Sequence, residues 1–67
     1  MFDIRFITTG ADGTEKPVGS PLAMSSSELF DAIQLGRDIL AALGSLGLTG
    51  FKVANRESNS IAHEEWL

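Results

Sequence analysis

The segment "SSSELFDAIQLGRDILAALGSLG", residues 25–47, repeats apolar side chains every three or four positions, which predicts a single amphipathic helix. Ser25 and Glu28 have the spacing of a capping box at its start, and Gly44 or Gly47 can end it in a left-handed conformation. Its broad apolar face comprises Leu29, Ala32, Ile33, Leu35, Ile39, Leu40, Leu43 and Leu46. A helix with such a face must pack on a second apolar layer, which the rest of the chain has to supply.

Two features of this helical face suggest contacts beyond an ordinary one-sided packing. Gly36 lies near its centre, where a glycine costs about 1 kcal/mol relative to alanine, so we expect a close approach of either the chain's own sheet or a partner helix. The apolar arc covers roughly 160°, against the ~100° that a one-sided surface helix needs. Phe30, Arg37 and Ala41 lie beside this arc and form the predicted interaction patch, because aromatic and arginine side chains are enriched in binding hot spots. An isolated surface aromatic is the alternative interpretation.

Two segments before the helix have strand character. "FDIRFITT", residues 2–9, alternates β-branched and aromatic residues between two faces, which indicates a half-buried strand. Asp12-Gly13 then predicts a turn. "PVGSPLAM", residues 17–24, contains two prolines, so it is predicted to be an edge strand or a loosely extended segment. The residues of this segment that share one face are Val18, Leu22 and Met24.

The final segment, "FKVANRESNSIAHEEWL", residues 51–67, is interpreted as a hairpin with its turn at residues 57–60. Centring the turn on Ser58-Asn59 predicts the pairs Phe51–Trp66, Lys52–Glu65, Val53–Glu64, Ala54–His63 and Arg56–Ile61. In this register the only tryptophan lies in the core with Phe51, and the only histidine faces solvent with Lys52 and Glu65. Placing Glu64 on the apolar face is the weakest part of this register.

The order of elements predicts an α+β fold, ββαββ, in which one amphipathic helix packs on one face of an antiparallel sheet. Pairing the third strand with the first gives the strand order 2-1-3-4 and puts the proline-bearing segment at an edge. The 67 residues have room for one domain, 1–67. A domain of this size buries only about 60% of the surface of its unfolded chain, so self-association would help to stabilise it.

Composition and charge exclude several classes of function. The chain has no cysteine, which removes disulfides and every cysteine-based metal site. Its net charge of −4 and its five scattered basic residues argue against a nucleic-acid partner, which requires clustered lysine and arginine. Neither a signal peptide nor a membrane-spanning segment is apparent, so no membrane partner and a cytoplasmic location are expected.

The cluster His63-Glu64-Glu65 is the main candidate for chemistry. A zinc-protease helix needs two histidines four residues apart, and this chain has one histidine. A solvated strand face with a Lys52–Glu65 ion pair is the favoured interpretation. The serines lack a G-x-S-x-G turn and the glycines lack a phosphate-binding pattern. We therefore predict no catalytic, cofactor-binding or metal-binding residue, and no cofactor.

The resulting hypothesis is a small non-enzymatic protein-interaction or regulatory module whose partner is another protein or a second copy, forming a homodimer. A small acidic phage-type inhibitor of a nucleic-acid-handling protein is a second hypothesis, motivated by the negative charge. A metal-dependent enzyme that uses His63 and Glu65 is a third.

Overall fold

A computed structural model describes residues 1–24 and 28–67. Its strands are β1 (Phe2–Thr9), β2 (Glu15–Pro17), β3 (Leu22–Ala23), β4 (Gly50–Asn55) and β5 (Ile61–Trp66), and its helix is α1 (Leu29–Leu43). A 3₁₀ turn, Gly44–Leu46, follows the helix. The strands pair in antiparallel fashion, and α1 packs on β1 and β4, which confirms the predicted α+β class.

The sheet has the order β2-β1-β4-β5, with β3 also paired to β1. The prediction placed one strand at residues 17–24, whereas the structure has two short strands, β2 and β3, on the same side of β1. Gly19 interrupts the ladder between them with a φ of +68°, a conformation that glycine adopts without steric cost. Within the described residues the sheet therefore has five strands rather than four, and the proline-bearing segment lies at its edge.

The core lies between α1 and one face of the sheet. Its buried residues are Ile4, Ala32, Leu40, Leu48, Phe51 and Val53. Gly36 lies directly over the ring of Phe51, so a Cβ atom at this position would be 2.5–2.9 Å from three of the ring carbons. The close approach expected at Gly36 therefore comes from the chain's own sheet, and the contacting group is a side chain.

The sequence predicts a capping signal at the start of α1 and a glycine stop signal at its end. The predicted capping box requires Ser25, which lies outside the described residues. At the other end, Gly47 has a φ of +103° and donates its amide to the carbonyl of Gly44 at 3.2 Å, which closes the 3₁₀ turn. Leu46 lies in this turn and is 78% exposed, so its predicted place on the apolar helical face is wrong.

The hairpin of β4 and β5 forms one residue out of the predicted register. The observed pairs are Gly50–Trp66, Phe51–Glu65, Lys52–Glu64, Val53–His63 and Ala54–Ile61, with a bulge next to the last pair. The turn begins at Asn55, before the predicted residues 57–60. The side-chain Oδ1 of Asn55 accepts the Glu57 amide at 2.9 Å, and its carbonyl accepts the Asn59 amide at 2.7 Å. Asn59 takes a φ of +57°, which asparagine tolerates. Since alternate side chains point to opposite faces, the shift exchanges the two faces of β5.

Candidate docking surface along α1 and β5

A polar cluster connects α1 to the outer strand. Arg37 on α1 donates from Nε to Oε1 of Glu65 on β5 at 2.7 Å, and Nε2 of His63 lies 2.9 Å from the same oxygen. The hydrogen bond from Arg37, followed by that from His63, lowers the pKa of Glu65 to about 2. Glu65 is therefore ionised at neutral pH, and the cluster ties the helix to the edge of the sheet.

The position of this cluster corrects the predicted faces of β5. His63 and Glu65 lie on the helix side of the sheet with Phe51, not on the opposite face with Lys52. The predicted Lys52–Glu65 ion pair is wrong, because Lys52 lies 3.0 Å from Glu15 and 3.8 Å from Glu64 on the other face. The shifted register accounts for both corrections.

The chemistry open to this cluster is limited by the partners of Glu65. Its contacting oxygen is shared by Arg37 and His63, so it is a poor acceptor for a further proton. Within residues 1–24 and 28–67, no three side chains of a metal-binding type come together, and no enclosed pocket is present. We call this cluster, in which the Arg37–Glu65 hydrogen bond links α1 to β5, the Arg37–Glu65–His63 clasp.

The predicted patch residues form one stripe of the helix, which we call the α1 flank: Phe30, Arg37 and Ala41. Phe30 precedes Arg37 by two helical turns and Ala41 follows it by one, so the three lie on the same side of α1. The bond from Arg37 to Glu65 orients this side toward β5. Phe30 is 68% exposed, and Ala41 is also exposed. Beyond the stripe, Leu67 lies against Gly44 at the end of the helix.

Trp66 lies on the face of the sheet opposite α1, rather than in the core with Phe51 as predicted. Its indole covers Gly50, where a Cβ atom would collide with the ring. Lys52 lies 5.8 Å from the ring centroid, a cation–π distance. The sequence does carry a signal for this contact, because a glycine inside a strand often marks a close approach by another group.

The rest of the face of the sheet opposite α1 carries paired charges. Lys52 bridges to Glu15, and Arg56 Nε lies 3.3 Å from Asp3. Arg5 donates to the side chain of Asn59 at 3.0 Å. These contacts place charges of opposite sign side by side on this face.

The outer edge of β5 has backbone groups that point away from the sheet. Leu67 donates its amide to Thr49 at 2.8 Å, which makes this pair hydrogen-bonded. Hydrogen-bonded and non-hydrogen-bonded pairs alternate along an antiparallel ladder, so Glu65 and His63 also bond inward to β4. The amides of Glu64 and Trp66 therefore point outward, along the edge that adjoins the α1 flank.

Comparisons of the chain with models of protein families, with curated proteins and with solved structures give no significant match. No helix in the described part of the chain combines the length and the apolar character needed to cross a bilayer.

Proposed function

We propose that this chain is a small protein-interaction module of regulatory, non-enzymatic character, which binds a protein partner or a second copy through the α1 flank and the adjoining edge of β5. The observation that carries the proposal is the position of Phe30. It is 68% exposed, on the same side of the molecule as a sheet edge with outward-pointing amides.

Most of the apolar surface of the Phe30 side chain is exposed in the single chain. Full burial of a phenylalanine side chain contributes about 1.5–3 kcal/mol relative to its exposed state. Arg37 supports this surface because its guanidinium is held by Glu65, so less side-chain freedom is lost when a partner binds. An exposed aromatic beside a fixed arginine has the composition of a binding hot spot.

A photo-crosslinking experiment tests the proposal. Benzoylphenylalanine replaces Phe30 in one sample, and Val18 in the control, because Val18 is 41% exposed and belongs to the opposite edge of the sheet. Each sample is irradiated as pure protein and in a lysate of the cells that produce it. We expect a discrete crosslinked species from position 30 and none from position 18. Equal or absent crosslinking at both positions would contradict the proposal.

A further inference from the structure

We infer that the partner of this surface is a second copy of the chain, joined by antiparallel pairing of β5 with β5, with Glu64 opposite Glu64 of the second copy. This inference rests on the proposed function and makes it specific. The two outer strands would form the centre of a continuous sheet, with both helices on the same face.

The two edges of the sheet differ in their protection against such pairing. At one edge, β2 has three residues and β3 has two, and Pro17 and Pro21 lack amide donors. At the other edge, β5 has six residues and no proline, and its bulge near Ile61 leaves residues 63–66 in a regular ladder. Short strands and prolines prevent edge-to-edge association, so β5 is the edge that can accept another strand.

Symmetry restricts the register of the pairing. Two copies of one strand pair in antiparallel fashion about a two-fold axis perpendicular to the sheet, which keeps the helix side of one copy beside the helix side of the other. A residue on the helix side must therefore oppose another on that side, and only every second register satisfies this condition. The outward amides of Glu64 and Trp66 must also take part in hydrogen-bonded pairs.

Among the permitted registers, centring on Glu64 gives the best side-chain match. His63 then opposes Glu65 of the second copy, so that a hydrogen-bonding ring faces a carboxylate, and the same pair recurs by symmetry. The regular part of β5, from His63 to Trp66, lies on one side of the bulge and can form this pairing without interruption. Centring on His63 instead places the two histidines together, and centring on Glu65 places two carboxylates together. The match of each His63 with a Glu65 therefore favours the first register.

One pair in the favoured register is unfavourable. Glu64 faces its own copy across the two-fold axis, and like charges directly opposite each other destabilise a sheet. Lys52 lies 3.8 Å from Glu64 in each chain and offsets part of this repulsion. The repulsion makes position 64 informative, because different substitutions there should change the affinity in opposite directions.

The same geometry places the two α1 flanks across from each other. Each helix packs on β1 and β4, about two strand spacings from the two-fold axis. With strands ~4.8 Å apart, the two helix axes would be roughly 19 Å apart. The flanks with Phe30 and Arg37 then form the walls of one groove, and His63 and Glu65 of both copies form its floor. The exposed stripe on α1 thereby becomes the side of the helix that faces the second copy.

Sedimentation velocity over low to high micromolar concentrations tests the pairing with two variants. Glu64→Pro removes the outward amide without removing a bond to β4, and we expect a monomer at all concentrations. Glu64→Thr removes the like-charge pair, and we expect the dissociation constant to fall about two- to five-fold. Ala23→Pro is the matched control: the Ala23 amide also points outward, at the opposite edge, and alanine forms no ion pair, so association should match wild type. Thermal melting checks that each variant folds.

A disulfide test defines the register independently of proline and its effects on folding. The chain has no cysteine, so Glu64→Cys introduces one thiol, which would lie on the two-fold axis. Opposed residues in a hydrogen-bonded pair have Cα atoms about 5.5 Å apart, a distance that suits a disulfide. With oxidised glutathione as the oxidant, we expect a covalent dimer from Glu64→Cys. Ala62→Cys, whose thiol lies away from the two-fold axis and therefore far from its own copy, should give little.

The outcomes separate the pairing from the proposed function. A monomeric Glu64→Pro variant together with a covalent Glu64→Cys dimer supports the pairing. A strictly monomeric wild type, or a Glu64→Pro variant that associates like wild type, overturns it. If position 30 still gives crosslinks in the photo-crosslinking experiment when either of these results is found, the docking surface stands and only the pairing of the two β5 strands is wrong.

Discussion

Gly36 determines how closely α1 approaches the sheet. The ring of Phe51 occupies the volume that a larger residue at position 36 would need, and Phe51 itself has no exposed surface. The sequence predicts a close contact at position 36, because a glycine at the centre of an apolar helical face destabilises the helix unless another group packs against it. The identity of its neighbour could not be predicted, because it depends on how β4 lies beneath the helix.

Gly36→Ala should destabilise the fold despite the better helix propensity of alanine. The gain in propensity is about 1 kcal/mol, whereas overpacking a filled core costs about 1–3 kcal/mol. Urea unfolding at low protein concentration measures the difference. In a Phe51→Leu background the ring is absent, so the same substitution should cost less or stabilise. An equal cost in both backgrounds would contradict the role of Phe51.

The Arg37–Glu65–His63 clasp should be sensitive to acid. The folded-state pKa of Glu65 is lowered to about 2 from an ordinary value of 4.5. Its contribution to stability is therefore complete above the unfolded pKa and is lost as the pH falls from about 5 through about 2. Because these groups are partly exposed, we expect about 1 kcal/mol or less.

Glu65→Gln is the variant that isolates this effect. Over the same acid range it should lose less stability than wild type, as measured by urea unfolding at a series of pH values. Glu64→Gln serves as the control, since the carboxylate of Glu64 lies on the other face, near Lys52. If the free energy of unfolding falls equally with pH in wild type and Glu65→Gln, the carboxylate of Glu65 does not contribute to the acid sensitivity of the fold.

At the scale of the elements, the hairpin shows where a sequence pattern is insufficient. Alternation identified both strands, but the register depends on the turn, and a shift of one residue reverses every side chain of β5. The side chain of Asn55 closes the turn, and Asn59 adopts the left-handed conformation that completes it. Both residues are visible in the sequence as turn formers, yet a turn centred on Ser58-Asn59 satisfied the pattern equally well.

The left-handed conformation of Asn59 gives a direct test of this turn. Asn59→Val should destabilise the hairpin by about 1–2 kcal/mol, because a β-branched residue is disfavoured at positive φ. Asn59→Gly should lie within about 0.5 kcal/mol of wild type, as glycine accepts the conformation. Thermal melting of the two variants measures the contrast. Equal melting temperatures would exclude the described turn.

The C-terminal residues should stabilise the sheet even though Trp66 lies outside the core. Deleting Trp66 and Leu67 exposes Gly50 and removes the hydrogen bond from Leu67 to Thr49. We expect a loss of about 1–2 kcal/mol in the free energy of unfolding. The free energy of unfolding should be measured at low protein concentration, where association does not contribute to it. Deletion of Leu67 alone leaves the indole in place and should reduce the stability less. An unchanged melting temperature for the double deletion would show that the C-terminal residues do not stabilise β5.

At the scale of the whole molecule, the order of elements and the antiparallel sheet with one helix follow from periodicity, turn residues and length. The sequence also predicts the apolar positions of α1 that are buried, such as Ala32 and Leu40, but not the exposure of Leu43 and Leu46 at its end. The free edge of β5 could not be predicted, because the sequence does not show which amides point outward before the register is known. The proposed docking surface combines the α1 flank with the edge of β5, and only the fold brings these two parts of the chain together.

Amide hydrogen exchange, followed by NMR at several protein concentrations, tests the docking surface most directly because it needs no mutation. In the single chain the amides of Glu64 and Trp66 point outward, while those of His63 and Glu65 bond to β4. If β5 pairs with a second copy, exchange at Glu64 and Trp66 should slow as concentration rises, and exchange at His63 and Glu65 should change little. Fast exchange at Glu64 and Trp66 at every concentration would contradict self-association through β5.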